Sequence, residues 1–119
     1  MKKCLVTGVA GFIGCEVALL LSKAGYSIVG IDNLNHYYDV SLKHARLKRL
    51  NGLVDFREMD LVDKNSLNDL FKTEKFDAVV HLAAQAGVRY SLENPQAYVD
   101  SNVTGFLSIL ECCRENPVK

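Results

Sequence analysis

Three glycines, Gly8, Gly11 and Gly14, punctuate the stretch Thr7-Gly8-Val9-Ala10-Gly11-Phe12-Ile13-Gly14. Their spacing could do chemistry without a single reactive side chain. They stand between an apolar run, Cys4-Leu5-Val6, and a helical pattern that begins near Ile13. A turn in that setting excludes β-carbons because it needs positive φ angles and lets backbone approach a bound pyrophosphate closely. The helix beyond it offers free N–H groups and a partial positive charge, which suit phosphate oxygens. The form is Gly-x-x-Gly-x-x-Gly rather than Gly-x-Gly-x-x-Gly, since position 9 is valine.

A carboxylate strengthens that reading. Asp32 closes a second apolar run 18 residues after Gly14, near the ~20 expected of the acid that binds the hydroxyls of an adenosine ribose. Such a carboxylate repels a 2′-phosphate, and no Lys or Arg lies between Asp32 and Lys43 to neutralise one. The pattern therefore predicts NAD rather than NADP. Asp60-Leu61 follows a third run, where a side-chain acceptor could meet the adenine amino group or serve only as a turn. Leu82-Ala83-Ala84-Gln85-Ala86-Gly87 leaves a fourth run with small side chains, as a chain passing close to a cofactor needs. Arg89, in the loop beyond, could clamp an anion with paired hydrogen bonds, or point to solvent, or pair with Glu93. His81 reads as a strand histidine satisfied by neighbouring backbone rather than a proton carrier. Tyr37-Tyr38 could stack on a ligand or pack a loop, and His36 and His44 read as exposed.

The elements that must hold these residues alternate along the chain. Strands are expected at 4–6, 27–31, 54–59 and 78–82. Helices are expected at 13–23, with Ile13, Val17, Leu20 and Ala24 on one inward stripe, and at 41–50 and 66–72. Gly25 should end the first helix. On the second, Lys43, Arg46, Lys48 and Arg49 read as a solvated face rather than a phosphate site. Leu67, Leu70 and Phe71 face inward on the third. Asn94-Pro95 opens a last helix carrying Val99, Val103, Phe106, Leu110 and Cys113 at inward spacings, and Asn116-Pro117 stops it. Short continuous apolar strands alternating with helices imply right-handed crossovers and a parallel sheet covered on both faces. The expected fold class is α/β, a partial Rossmann-type doubly wound sheet of about four strands in the order 3-2-1-4.

Composition narrows the remaining classes. The 119 residues carry 14 basic and 14 acidic side chains, so the basic surplus of a nucleic-acid binder is missing. Apolar runs of only a few residues predict no membrane partner, and Met1-Lys2-Lys3 leads into a glycine too soon for a signal peptide. A cytoplasmic protein is the expectation. Cys4, Cys15, Cys112 and Cys113 form no metal or redox pattern and read as reduced thiols in the core.

Thr7-Gly8-x-x-Gly11-x-x-Gly14, Asp32-Asn33, Asp60-Leu61 and His81-Leu82-Ala83-Ala84 together resemble the extended short-chain dehydrogenase/reductases that act on nucleotide sugars. Residues 32–43, residues 84–91 and Asn94-Pro95-x-x-Tyr98-x-x-Ser101-Asn102 are similar to the UDP-glucuronate 4-epimerases within that family. The resemblance implies that Gly8, Gly11 and Gly14 line the NAD pyrophosphate, with backbone from Phe12 and Ile13. It puts Asp32, Asn33 and Asn35 around the adenosine ribose, and Asp60 and Leu61 at the adenine. Leu82, Ala83, Ala84 and Gln85 would follow the nicotinamide-side ribose, with Asn102 near the nicotinamide. Family members oxidise C4 of a UDP-sugar, rotate the keto-sugar and reduce its other face; for the full-length protein a homodimer is one assembly to expect.

One departure stands out. The chemistry of the family needs a tyrosine base with a lysine four residues later, which stabilises the phenolate. Here the residues four after Tyr26, Tyr37, Tyr38, Tyr90 and Tyr98 are Gly30, Ser41, Leu42, Asn94 and Asn102. The 119 residues are therefore expected to be the N-terminal, cofactor-binding part of an epimerase, with catalytic and substrate-binding portions beyond Lys119 and no turnover alone. Another NAD-dependent sugar-nucleotide epimerase or a 4,6-dehydratase shares the same front end. An NAD-binding sensor or scaffold without the catalytic pair is the alternative of another class.

Overall fold

The computed structural model describes residues 2–35, 40–85 and 88–118. Four parallel strands, β1 (Lys3–Thr7), β2 (Ser27–Asp32), β3 (Val54–Glu58) and β4 (Ala78–His81), form one sheet in the order β3-β2-β1-β4. This is the expected order. In β1, Lys3 to Thr7 run beside Ser27 to Ile31 of β2 on one edge, and Cys4 to Thr7 beside Ala78 to His81 of β4 on the other. All four carboxyl ends thus lie along one edge of the sheet, where open α/β sheets bind ligands.

Side chains alternate across the strands, so each face has its own core. Cys4, Val6 and Ile28 pack with Cys15 and Ala18 of α1 (Phe12–Lys23) and Leu50 of α2 (Val40–Leu50). Leu5, Val29 and Ile31 pack on the other face with Leu67, Leu70 and Phe71 of α3 (Lys64–Glu74) and Ile109 and Cys112 of α6 (Gly105–Glu115). Phe71 is fully buried and meets Phe76 edge to face at 5.2 Å. Cys4, Cys15 and Cys112 are buried and free, and burial pushes the Cys112 thiol up to about 11. Among the described residues no helix is long and apolar enough to cross a membrane, and no group of side chains could hold a metal ion.

Local signals stop and start the helices. Gly25 follows α1 at φ +95°, a left-handed conformation that costs glycine little. Asp63 caps α3 by accepting the Ser66 N–H at 3.2 Å, and Asn94 caps α5 (Pro95–Tyr98) by accepting that of Ala97 at 3.2 Å.

Three helical expectations are corrected. On α1 the buried residues are Gly14, Cys15 and Ala18, while Ile13 and Leu20 are 62% and 65% exposed. Small residues face the sheet because the helix starts in direct contact with the glycine turn, too close for larger ones. In the C-terminal helical run, Val99, Val103, Phe106 and Leu110 are exposed, and Gly105, Ser108, Ile109 and Cys112 are buried. One turn of π-helix, Val99–Thr104, joins α5 to α6 there. A wider turn breaks the 3.6-residue period, so a stripe counted through it loses its register. Finally, the segment expected as loop before Asn94 contains a short helix, α4 (Val88–Glu93).

Replacing Phe71 by Ala would leave a cavity between α3 and the sheet. Chemical denaturation should show a loss of about 3–5 kcal/mol, and a loss below about 1 kcal/mol would mean that this face is not the core described.

Candidate functional site

A cavity of about 510 Å³ opens at the carboxyl edge of the sheet. The turn after β1 shapes it. Gly8 has φ +71°, and a β-carbon there would sit 2.8 Å from the backbone nitrogen of Ala83. A β-carbon on Gly14 would lie only 2.0 Å from the Gly8 carbonyl oxygen. These two glycines press the start of α1 against the turn. Gly11 is the N-cap of α1 and gives no capping side chain. The first-turn N–H groups of Phe12, Ile13 and Gly14 therefore need an acceptor from outside the helix, and these residues line the cavity. A pyrophosphate is an acceptor of the right charge, so the residues present fit a dinucleotide.

Asp32 is buried at the end of β2. Its Oδ2 accepts the Ala10 N–H at 3.1 Å and its Oδ1 accepts the Leu34 N–H at 2.8 Å. Lys43 of α2 adds a third donor, with Nζ 2.8 Å from Oδ1 and side-chain exposures of 15% for Lys43 and 3% for Asp32. Arg46, one turn further, donates to the Ala10 carbonyl at 3.1 Å. Both cations line the cavity. The expectation of a solvated face is thus corrected for these two positions. An (i, i+3) pair shares one helix face, and this face of α2 looks toward the glycine turn, where long stems deliver charge. Nor does Asp32 present an unpaired negative charge, because Lys43 reaches back across the sequence gap that looked empty. The exposed Arg49 instead pairs with Glu16 of α1 at 2.8 Å, and Lys48 and His44 are exposed.

On the other side of β1, Thr7 organises the β4 end. Its hydroxyl oxygen accepts the N–H groups of Leu82 at 3.0 Å and Ala83 at 3.1 Å, and lies 2.7 Å from His81 Nδ1. Two donors fill both lone pairs of the hydroxyl, so its one hydrogen goes to His81. The ring nitrogen Nδ1 must then be unprotonated, with the proton on Nε2. Burial lowers the His81 pKa, which favours the same neutral form. The histidine is satisfied, but by a side chain rather than by the backbone, and its ring stacks on Phe106 at 5.4 Å.

Gln85 is buried and anchored on three sides. Asn102 accepts its N–H at 2.8 Å and donates to its carbonyl at 3.1 Å, while Asn35 Nδ2 donates to its Oε1 at 2.8 Å. That last bond links the loop after β2 to the loop after β4. Of the residues singled out in the sequence, the glycine turn, Phe12, Ile13, Asp32, Asn33 and Asn35 line this one cavity, as do Asp60, Leu61 and Leu82 to Gln85. Asn102 does not line it. Its amide is spent on the Gln85 backbone, while its neighbour Ser101 reaches the lining. Arg89 lies on α4, exposed and outside the lining, rather than in a loop. Tyr37-Tyr38, His36, Ala86 and Gly87 lie outside the described residues. Lys43, Arg46 and Thr7 were missed as site residues.

Residues 5–119 match the family model described as GDP-mannose 4,6 dehydratase. The chain belongs to this family. Among its relatives, the UDP-glucuronate 4-epimerase of Thermodesulfobacterium geofontis is 50% identical over 97% of this chain and 36% of its own length. An uncharacterized 37.6 kDa protein of Escherichia coli O111:H- is 54% identical over 98% of the chain and 35% of its own length. The crystal structure of UDP-glucuronic acid 4-epimerase from Bacillus cereus, in complex with UDP-glucuronic acid and NAD, superposes with a TM-score of 0.88 at 34% identity. It is matched over 99% of this chain and 38% of that one. The chain spans about a third of the length of the curated relatives it matches.

The neutral His81 has a measurable consequence for this GDP-mannose 4,6 dehydratase family member. A histidine whose folded pKa lies below its unfolded value near 6.5 contributes stability that is complete above that value. This contribution is lost as pH falls through the lower folded pKa. Thermal unfolding between pH 7 and 5 should show that slope. In His81→Asn, whose amide oxygen can replace Nδ1 as acceptor for Thr7, the part of the slope due to His81 should vanish. An identical slope in the variant would place the titrating group elsewhere.

Proposed function

We propose that this chain is the N-terminal, dinucleotide-binding part of an NAD-dependent UDP-glucuronate 4-epimerase. One observation carries the reading: the uncapped start of α1 and the buried Asp32 carboxylate converge on a single cavity at the carboxyl edge of a parallel sheet. The epimerase from Bacillus cereus, with UDP-glucuronic acid and NAD, supports it through shared fold and sequence.

In this reading the N–H groups of Phe12, Ile13 and Gly14 bind the pyrophosphate, Asp32 and Asn33 orient the adenosine ribose, and Asp60 and Leu61 meet the adenine. Leu82, Ala83 and Ala84 pass beside the nicotinamide-side ribose with side chains too small to obstruct it. NAD held there would supply a hydride acceptor, and as NADH a hydride donor, for C4 of the sugar. The loop residues keep that cofactor oriented and limit access of water. No Tyr-x-x-x-Lys occurs in the 119 residues, so this part binds the cofactor and does not turn over by itself. For the full-length protein a homodimer and a cytoplasmic location are proposed.

Calorimetric titration with NAD tests the reading. One site is expected in the wild type, and none in Gly11→Val, whose added side chain would stand beside the pyrophosphate. A β-carbon at Gly11 would stand 3.1 Å from the Gly8 carbonyl, a tight contact, so circular dichroism is recorded alongside to establish that the variant is folded. Unchanged NAD affinity in a folded Gly11→Val protein would assign the turn another role.

A further inference from the structure

We propose that Lys43 is a specificity-determining residue, which reads the adenosine ribose jointly with Asp32 and carries whatever affinity the site has for a 2′-phosphate. The inference rests on the dinucleotide reading of the cavity and goes beyond it. Its starting point is the number of acceptor positions. A carboxylate has about four, and three of those on Asp32 are filled by the Ala10 N–H, the Leu34 N–H and the Lys43 ammonium. One remains for two ribose hydroxyls. The second hydroxyl needs another partner, and two line the cavity there: Asn33, and Lys43 with two N–H bonds not directed at Asp32. Aspartate alone is not the ribose reader here; the ion pair is.

Charge points the same way. The charged residues that line the cavity are Asp32, Lys43, Arg46 and Asp60. Asp60 belongs to the loop after β3, on the far side of β2, where its Oδ1 accepts the Val62 N–H at 3.2 Å. Lys43 offsets the charge of the Asp32 carboxylate, and Arg46 brings a second cation to the Ala10 carbonyl in the same lining, so a 2′-phosphate arriving there meets no net negative charge. Arg46 holds the Ala10 carbonyl through one N–H and keeps its other donors, so it adds charge to the site, whereas Lys43 is the cation paired with Asp32 itself. Lys43, a point charge on a flexible stem, is the cation that can turn from Asp32 to a phosphate without moving the backbone.

The test compares dissociation constants for NAD and NADP in the wild type, Lys43→Gln and Lys43→Arg, each in the full chain. Lys43→Gln keeps a donor and removes the charge. It should weaken NADP about tenfold more than NAD, while Lys43→Arg keeps the wild-type ratio. A second measurement needs no substitution: raising the salt concentration should weaken NADP more steeply than NAD, because only the former closes an extra ion pair. An unchanged ratio in a folded Lys43→Gln protein, or equal salt dependence for the two dinucleotides, overturns the role of Lys43 and leaves the NAD site standing. A wild type that binds neither dinucleotide overturns the site and this inference together.

Discussion

The start of α1 lies against the turn after β1 with only hydrogen atoms between them, and the site depends on that approach. The left-handed Gly8 sends the chain upward beside Ala83, and Gly14 rests on the Gly8 carbonyl. From this follow the direction of the helix axis, the small buried face of Gly14, Cys15 and Ala18, and the aim of its unpaired N–H groups along the sheet edge. A larger residue at either glycine would lift the helix and move its positive end away from the cavity. The exposure of Ile13 and Leu20 follows from the same constraint, since a helix so close to the turn can bury only small side chains.

Around this centre the loops are tied by polar side chains rather than by apolar packing. Thr7 holds the first two residues after β4, Asn102 holds the backbone of Gln85, and Asn35 joins the loop after β2 to that same glutamine. Because β2 and β4 flank β1, the Asn35–Gln85 bond crosses the end of the strand from which the glycine turn rises. Each such bond contributes little alone, since it replaces bonds to water, but leaving a buried partner unpaired is costly. Among the described residues no buried side-chain nitrogen or oxygen lacks a partner. The cavity is therefore held in shape by bonds that a dinucleotide can extend.

The fold was legible in the sequence because its signals are local. Continuous apolar strands, Gly25, and Asn94-Pro95 each act through their own backbone, and the order 3-2-1-4 is the one expected of a Rossmann-type doubly wound sheet. Fourteen of the fifteen residues proposed for the cofactor line one cavity, since turns that follow parallel strands must share an edge. What escaped depended on reach or on register. Lys43 lies eleven positions from Asp32, and nothing in the sequence says that a helix will turn its stem inward. Thr7 belonged to the glycine motif, yet its hydroxyl acts on residues 82 and 83, a contact that exists only once β1 and β4 pair. The exposed stripe of Val99, Val103, Phe106 and Leu110 was misjudged because a π-turn has no clear signature in residue types.

The central claim is that a dinucleotide binds at the carboxyl edge with its pyrophosphate on the start of α1. Backbone amide NMR during titration with NAD measures this directly. The expected result is a set of large shifts at Gly11, Phe12, Ile13 and Gly14, with further shifts at Asn33, Leu61 and Ala83, while amides at the opposite edge, such as Ser27 and Asp77, stay fixed. Shifts confined to that opposite edge, or no shifts at saturating NAD in a folded protein, would contradict it.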